Sequence, residues 1–218
     1  MSFQDLTTAA QQYFPSLQIK YKDQNSFMKF LGKILFFTPG FMTDYTTTIG
    51  DTSYFPSASW IASRPISSAV VLLHETVHMY DENRLTKPLF GFLYMCPQIL
   101  ALICLPLIFL MSWKIFLPLF FILALPIPAY FRMHFEKRAY LASLYVLQAL
   151  GTRLKFNPTL KTQETFFISQ FKNSAYYYMW PFSNIQNEFD QAVVKIGAGQ
   201  RPYQDAVFDM LDVLVTKV

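Results

Sequence analysis

The sequence is short of charge. Asp, Glu, Lys and Arg make up 15% of its 218 residues, against roughly a quarter in ordinary soluble domains. The formal net charge is +4 at pH 7, and apart from Lys137-Arg138 the Lys and Arg residues are scattered singly. A chain that neutralises many phosphates needs a concentrated basic face, so nucleic acid is excluded as a partner. The modest basic excess also suits a juxtamembrane surface. Cysteine is scarce too. Cys96 and Cys104 are the only two, and a disulfide between two such positions of one apolar helix does not fit disulfide geometry. They read as small buried hydrophobes, as expected in a reducing compartment. The N-terminus lacks a basic stretch followed by an apolar core, so no cleaved signal peptide is expected. There is no internal repeat, and histidine occurs three times.

What the chain has in surplus is apolar sequence, 53% overall, concentrated between Pro88 and Phe131. Pro88 to Trp113 carries no charge and is long enough, at ~1.5 Å per helical residue, to cross a ~30 Å hydrocarbon layer. Lys114 interrupts it, and Ile115 to Phe131 adds a second uncharged run at the short end of a span. The brief connection makes the two antiparallel, a helical hairpin. Pro97, Pro106, Pro118, Pro126 and Pro128 imply kinks, and a fully spanning, a re-entrant and a soluble hairpin all remain open. The division is therefore 1–87, an inserted hairpin 88–131, and 132–218. In the first part, a helix is expected near Asp5–Tyr13. A second, Ser26–Phe37, is stopped by Pro39-Gly40 and suits either a membrane interface or a core. Tyr45–Phe55 is rich in β-formers around Gly50-Asp51, two strands joined by a turn. Pro65–Asp81, extending to residue 83, has an apolar face of Ala69, Val70, Leu73 and Val77 at helical spacing. Helices are expected at 132–150, 162–180, 184–196 and 203–216, broken by Gly151, Pro158, Pro181 and the stretch from Gly197 to Pro202. Tyr176–Trp180 suits an interfacial belt or plain core.

His74-Glu75-Thr76-Val77-His78 is an H-E-x-x-H pattern on a predicted helix. Residues four apart share a face, so both imidazoles reach one ion, for which zinc is expected. Glu75 stands beside the metal as general base for a bound water. A third ligand must come from elsewhere. Glu136 is the candidate, because the hairpin returns it to the side of the histidines and small Ala139 one turn on permits close approach. An ion pair with a nearby Arg or Lys is the alternative for Glu136, and His134 is the rival ligand. Tyr140 is the first choice for an oxyanion-stabilising donor and Arg132 the second. Asp81 reads either as an outer partner of a ligand histidine or as a solvated helix end.

The order H-E-x-x-H, hydrophobic hairpin, then Arg132-x-x-x-Glu136-x-x-Ala139 resembles the membrane gluzincins of the HtpX and CAAX-prenyl-protease family over roughly residues 67–145. Tyr140 stands where that family has Asp. The resemblance implies a mainly α fold with a small β-hairpin, a minimal zincin-like core carrying the inserted hydrophobic hairpin. It implies Glu136 as third zinc ligand and a metalloendopeptidase acting on protein or peptide substrates in contact with membrane lipid. In zincins generally a strand edge precedes the zinc helix and pairs with substrate, which assigns that role to 45–55. Arg84, Lys87, Arg132, Lys137 and Arg138 flank the hairpin while only Lys114 lies at its tip, so the catalytic side is expected to be cytoplasmic. Small phage-encoded zincin-like proteins share this compact layout, which makes a non-catalytic membrane or virion component, assembled into a larger complex, the alternative.

Overall fold

The structure is a computed structural model and describes residues 3–36, 38, 40–125, 128–155, 159–173 and 179–218. Pro39, Pro126, Pro158 and Tyr176–Tyr178, all invoked above, lie outside the described residues. The elements run α1 (Phe3–Tyr13), β1 (Gln18–Tyr21), α2 (Ser26–Ile34), β2 (Thr47–Ile49), β3 (Thr52–Phe55), α3 (Ala58–Ser63) and α4 (Pro65–Leu85). They continue with α5 (Lys87–Met95), α6 (Ile99–Cys104) with a 3-10 turn to Phe109, α7 (Trp113–Ala124), α8 (Tyr130–Leu154), α9 (Leu160–Lys172), α10 (Asn184–Gly197) and α11 (Ala206–Val215). The protein is thus mainly helical with one small sheet.

That sheet has the order β1-β3-β2. β2 and β3 form the expected hairpin, pairing Ile49 with Thr52 across Gly50-Asp51. Gly50 takes φ +55°, which this tight turn demands and a side chain resists. β1 was not expected. It pairs in parallel with β3 through Gln18 to Tyr21, leaving β2 as an edge strand.

α4 begins with Pro65 at its first turn, where a missing N–H does no harm. It packs along α8, and small residues make the approach close: Ala69, Ala139 and Ala142 are fully buried at 0% exposure. One hydrophobic cluster joins α1, α3, α4, α11 and one face of α8; a second joins the other face of α8 to α9 and α10. α8 is therefore the common wall of both cores. Its Arg138 bridges Asp81 on α4 and Asp205, the residue whose carboxylate caps α11.

Three expectations change. The run from Pro88 to Trp113 is not one helix: Lys87–Met95 and Ile99–Phe109 meet at 98°, broken around Pro97, whose ring and missing N–H oppose a continuous helix. Among the described residues no single helix is long and apolar enough to cross a membrane, and this bent pair meets the length and composition only when taken together. α2 is not a core helix, since Met28 is its only buried residue. α9 ends at Lys172, and the chain returns with Trp180 N–H donating to the Phe171 carbonyl at 2.8 Å.

Candidate metal centre

His74, Glu75 and His78 occupy the middle of α4 and are each 9% exposed. One helical turn separates the two rings, which brings Nε2 to within 3.2 Å of Nε2. α8 sets Glu136, 1% exposed, against the pair. Its Oε2 lies 3.6 Å from His74 Nε2 and its Oε1 3.4 Å from His78 Nε2. One ligand atom from each residue lies within 4.8 Å of the others, so His74, His78 and Glu136 form a group that can hold a metal ion. No fourth His, Cys, Asp or Glu joins them among the described residues.

Two imidazole nitrogens facing each other beside a carboxylate need a hydrogen or a metal ion between them. In the metal-free state the proton serves. Burial alone pulls the His78 pKa down, but the charge and hydrogen bond of Glu136, with Glu75 and Asp81 behind, raise it to about 9. Burial pushes Glu136 up, and the two histidines more than reverse this, holding its carboxyl well below the usual range. The result is a buried imidazolium–carboxylate pair. Glu136 Oε2 still lacks a hydrogen-bond partner, a costly state for a buried carboxylate oxygen and one that a metal ion would relieve.

The second nitrogen of His74 fixes its tautomer. Ser143 Oγ donates to the Ala139 carbonyl at 3.0 Å and lies 3.1 Å from His74 Nδ1. With the hydroxyl proton committed to the carbonyl, Oγ accepts from Nδ1–H, and Nε2 presents its lone pair to the group. Ser143 was not singled out from the sequence, although Glu136, Ala139 and Ser143 fall at i, i+3 and i+7, one face of a helix.

The centre opens into a cavity of about 470 Å³. β2 and the preceding residues Tyr45 and Thr46 form one wall, and α5 forms another through Phe90, Gly91, Tyr94 and Met95. Glu75 lies on the cavity surface with the three ligand residues. Tyr94 is the residue sequence reasoning missed. Its phenol donates to Glu136 Oε1, and its ring lies 5.9 Å from that of His78. The available signal was a lone tyrosine in the uncharged run from Pro88 to Trp113. Lys22 was also missed. Fully buried, it donates from Nζ to the Phe41 carbonyl at 2.6 Å and sits 4.0 Å above that ring, fastening another part of the cavity wall. Burial brings its pKa down to about 8, partly offset by the charge of Glu75.

The remaining sequence candidates lie behind the centre. Tyr140 is packed into the second core, stacked on Phe167 with its ring 4.9 Å from His74, and it does not line the cavity. Arg132 donates from Nε to the Tyr94 carbonyl at 2.7 Å and from Nη2 to Gln98 at 3.4 Å, so it holds α5 against α8. Asp81 is neither solvated nor hydrogen-bonded to a ligand histidine. It is 4% exposed and bonded by Arg138, while His78 Nδ1 has no hydrogen-bond partner. His134 stacks edge-on against Tyr130 at 4.4 Å, apart from the group.

Comparison of the chain with known protein families, curated proteins and solved structures gives no match.

Proposed function

We propose that the protein is a membrane-associated zinc endopeptidase of the gluzincin kind. The observation that carries this reading is the spacing of the ligand atoms. A tetrahedral ion with bonds of ~2.0–2.1 Å holds its donors ~3.3 Å apart; the two imidazole nitrogens are 3.2 Å apart, and Glu136 brings Oε1 to 3.4 Å from His78 and Oε2 to 3.6 Å from His74. Two imidazoles and one carboxylate suit zinc and leave a fourth position open, as catalytic sites require and structural ones do not.

Zinc in this position supplies Lewis acidity, acidifying water and polarising a carbonyl. The rest of the chemistry belongs to side chains. Glu75 accepts a proton from the attacking water and returns it to the leaving amine. Tyr94, rather than Tyr140 or Arg132, is the donor for charge developing on the carbonyl oxygen. The free edge of β2 pairs with the extended backbone of a peptide substrate, aligning the scissile bond. Ser143 keeps His74 in its binding tautomer. Outside the centre, Leu102, Ile103, Ile108, Phe109, Leu110 and Trp113 are each 48–89% exposed. A run of this kind suits lipid better than water, with the flanking cations keeping both hairpin ends cytoplasmic.

Metal analysis paired with a Glu75→Gln variant tests the proposal. The protein should bind one zinc ion, and the variant should keep it while losing hydrolysis of unfolded casein by ~10²–10⁴-fold. Absence of zinc, or near-normal turnover by a variant free of contaminating protease, refutes the reading.

A further inference from the structure

α2 divides into three faces. Met28 is fully buried, and Gly32 lies so close to Met42 that a Cβ there would meet its Sδ at 2.8 Å. This face docks the helix on the body. Phe27, Phe30 and Ile34, at i, i+3 and i+7, form a second face and are 55%, 60% and 50% exposed, with Phe36 just beyond at 83%. Lys29 and Lys33, at i and i+4, form the third and are also exposed. A helix with one docked face, an adjoining bare apolar stripe and a lysine edge has the build of an interfacial helix. Lysine stems can lie along the apolar stripe while their ammonium groups reach lipid phosphates.

Position strengthens the argument. The chain leaving α2 supplies Phe41 and Tyr45 to the cavity, and α5 supplies Phe90 and Tyr94. α5 also exposes Leu89, Phe92 and Met95. Bare apolar elements thus adjoin the cavity through two of its walls, and only one of them belongs to the hairpin. Large exposed apolar patches are rare on soluble monomers and mark interaction or membrane surfaces.

We infer that α2 lies in the headgroup layer of an anionic bilayer, with Phe27, Phe30 and Ile34 inserted and Lys29 and Lys33 on lipid phosphates, so that the cavity opens at the membrane surface. This rests on the membrane reading of the protein and is independent of its metal chemistry.

The test uses the full chain with Cys96 and Cys104 replaced by alanine and a single cysteine at Phe30, Ser59 or Ile108, carrying a polarity-sensitive fluorophore. Each protein is reconstituted into neutral phosphatidylcholine vesicles and into vesicles containing phosphatidylserine. The probe at position 30 should shift to the blue in the anionic vesicles and be quenched by headgroup-proximal quenchers. The probe at Ser59, exposed on α3, should stay water-like. Lys29→Glu and Lys33→Glu should each weaken the α2–bilayer equilibrium by about fivefold or more. A water-like probe at position 30 in both vesicles overturns the inference, as does a shift equal in neutral and anionic lipid. A shift in detergent that grows with protein concentration means that a second copy covers α2, and overturns it too. The probe at Ile108 reports the hairpin separately. Silence there beside a shift at position 30 refutes the inserted hairpin and leaves α2 as the anchor, and zinc binding decides the peptidase reading independently of both.

Discussion

Zinc affinity should depend steeply on pH, because metal and proton compete for the same nitrogen. His78 is raised to about 9 in the metal-free protein, and only neutral imidazole binds the ion. Below that pH, each zinc bound must expel about one proton. Apparent affinity then falls about tenfold per pH unit and at pH 7 stands about a hundredfold below its plateau. The metal-free fold has the opposite slope. With its pKa raised above 6.5, His78 contributes stability that is full below pH 6.5 and lost as pH rises through about 9. Glu136, depressed from 4.5, contributes stability above pH 4.5 that is lost as pH falls through its folded pKa. From pH 6.5 to 9 the Tm of chelator-treated protein should therefore fall while the zinc-induced rise grows. At fixed free zinc, that hundredfold is worth about 2.7 kcal/mol. Competition with a chromophoric chelator across this range measures the affinity, and calorimetry in buffers of different ionisation enthalpy counts the protons released. Flat affinity between pH 7 and 9, without proton release, refutes the buried imidazolium–carboxylate pair.

Glu136→Ala should weaken zinc binding by more than ~100-fold and remove activity with it, whereas Tyr94→Phe, which removes an outer partner, should cost about 10–100-fold in affinity or activity. A Glu136 engaged only in an exposed ion pair would lose under ~1 kcal/mol of stability and leave zinc bound. Ala139→Leu should destabilise the fold by about 1–3 kcal/mol in urea, since the α4–α8 contact has no room for it; unchanged stability would mean looser helices. Single cysteines replacing Leu85 and Trp113, with the native cysteines removed, should label from opposite sides of a vesicle, and labelling from one side indicates a re-entrant hairpin.

Features that depend on neighbours along the chain were legible in the sequence. The one-turn spacing of His74 and His78, the Gly50-Asp51 turn and the helical stretch around Glu136 follow from local periodicity and backbone preference. The pairing of Glu136 with the histidines was also within reach, because a hairpin that returns on itself constrains where its exit lies. Partners chosen by tertiary packing were not. Arg138 takes Asp81 from across the α4–α8 contact, and nothing local to Asp81 announces it. Tyr140 falls four residues after Glu136, but α8 has core on two faces and that spacing cannot say which one a ring enters. β1 pairs in parallel with a strand far along the chain, which requires a crossover rather than a turn. The bend after Met95 was foreshadowed by Pro97, yet an uncharged run reads alike whether straight or broken.

Arg132 joins the end of α5 to the start of α8 through Tyr94 and Gln98, which makes a latch across the ends of the apolar segment. The apolar segment between Gln98 and Arg132 begins and ends at this latch, so a shorter bridge can join the same two points. Replacing the ~30 residues past Gln98 with a flexible bridge of ~6 would lower the closure entropy by about 1.4 kcal/mol. The latch, Tyr94 and the three ligand residues would all be kept. Metal binding could then be assayed with the exposed apolar segment gone.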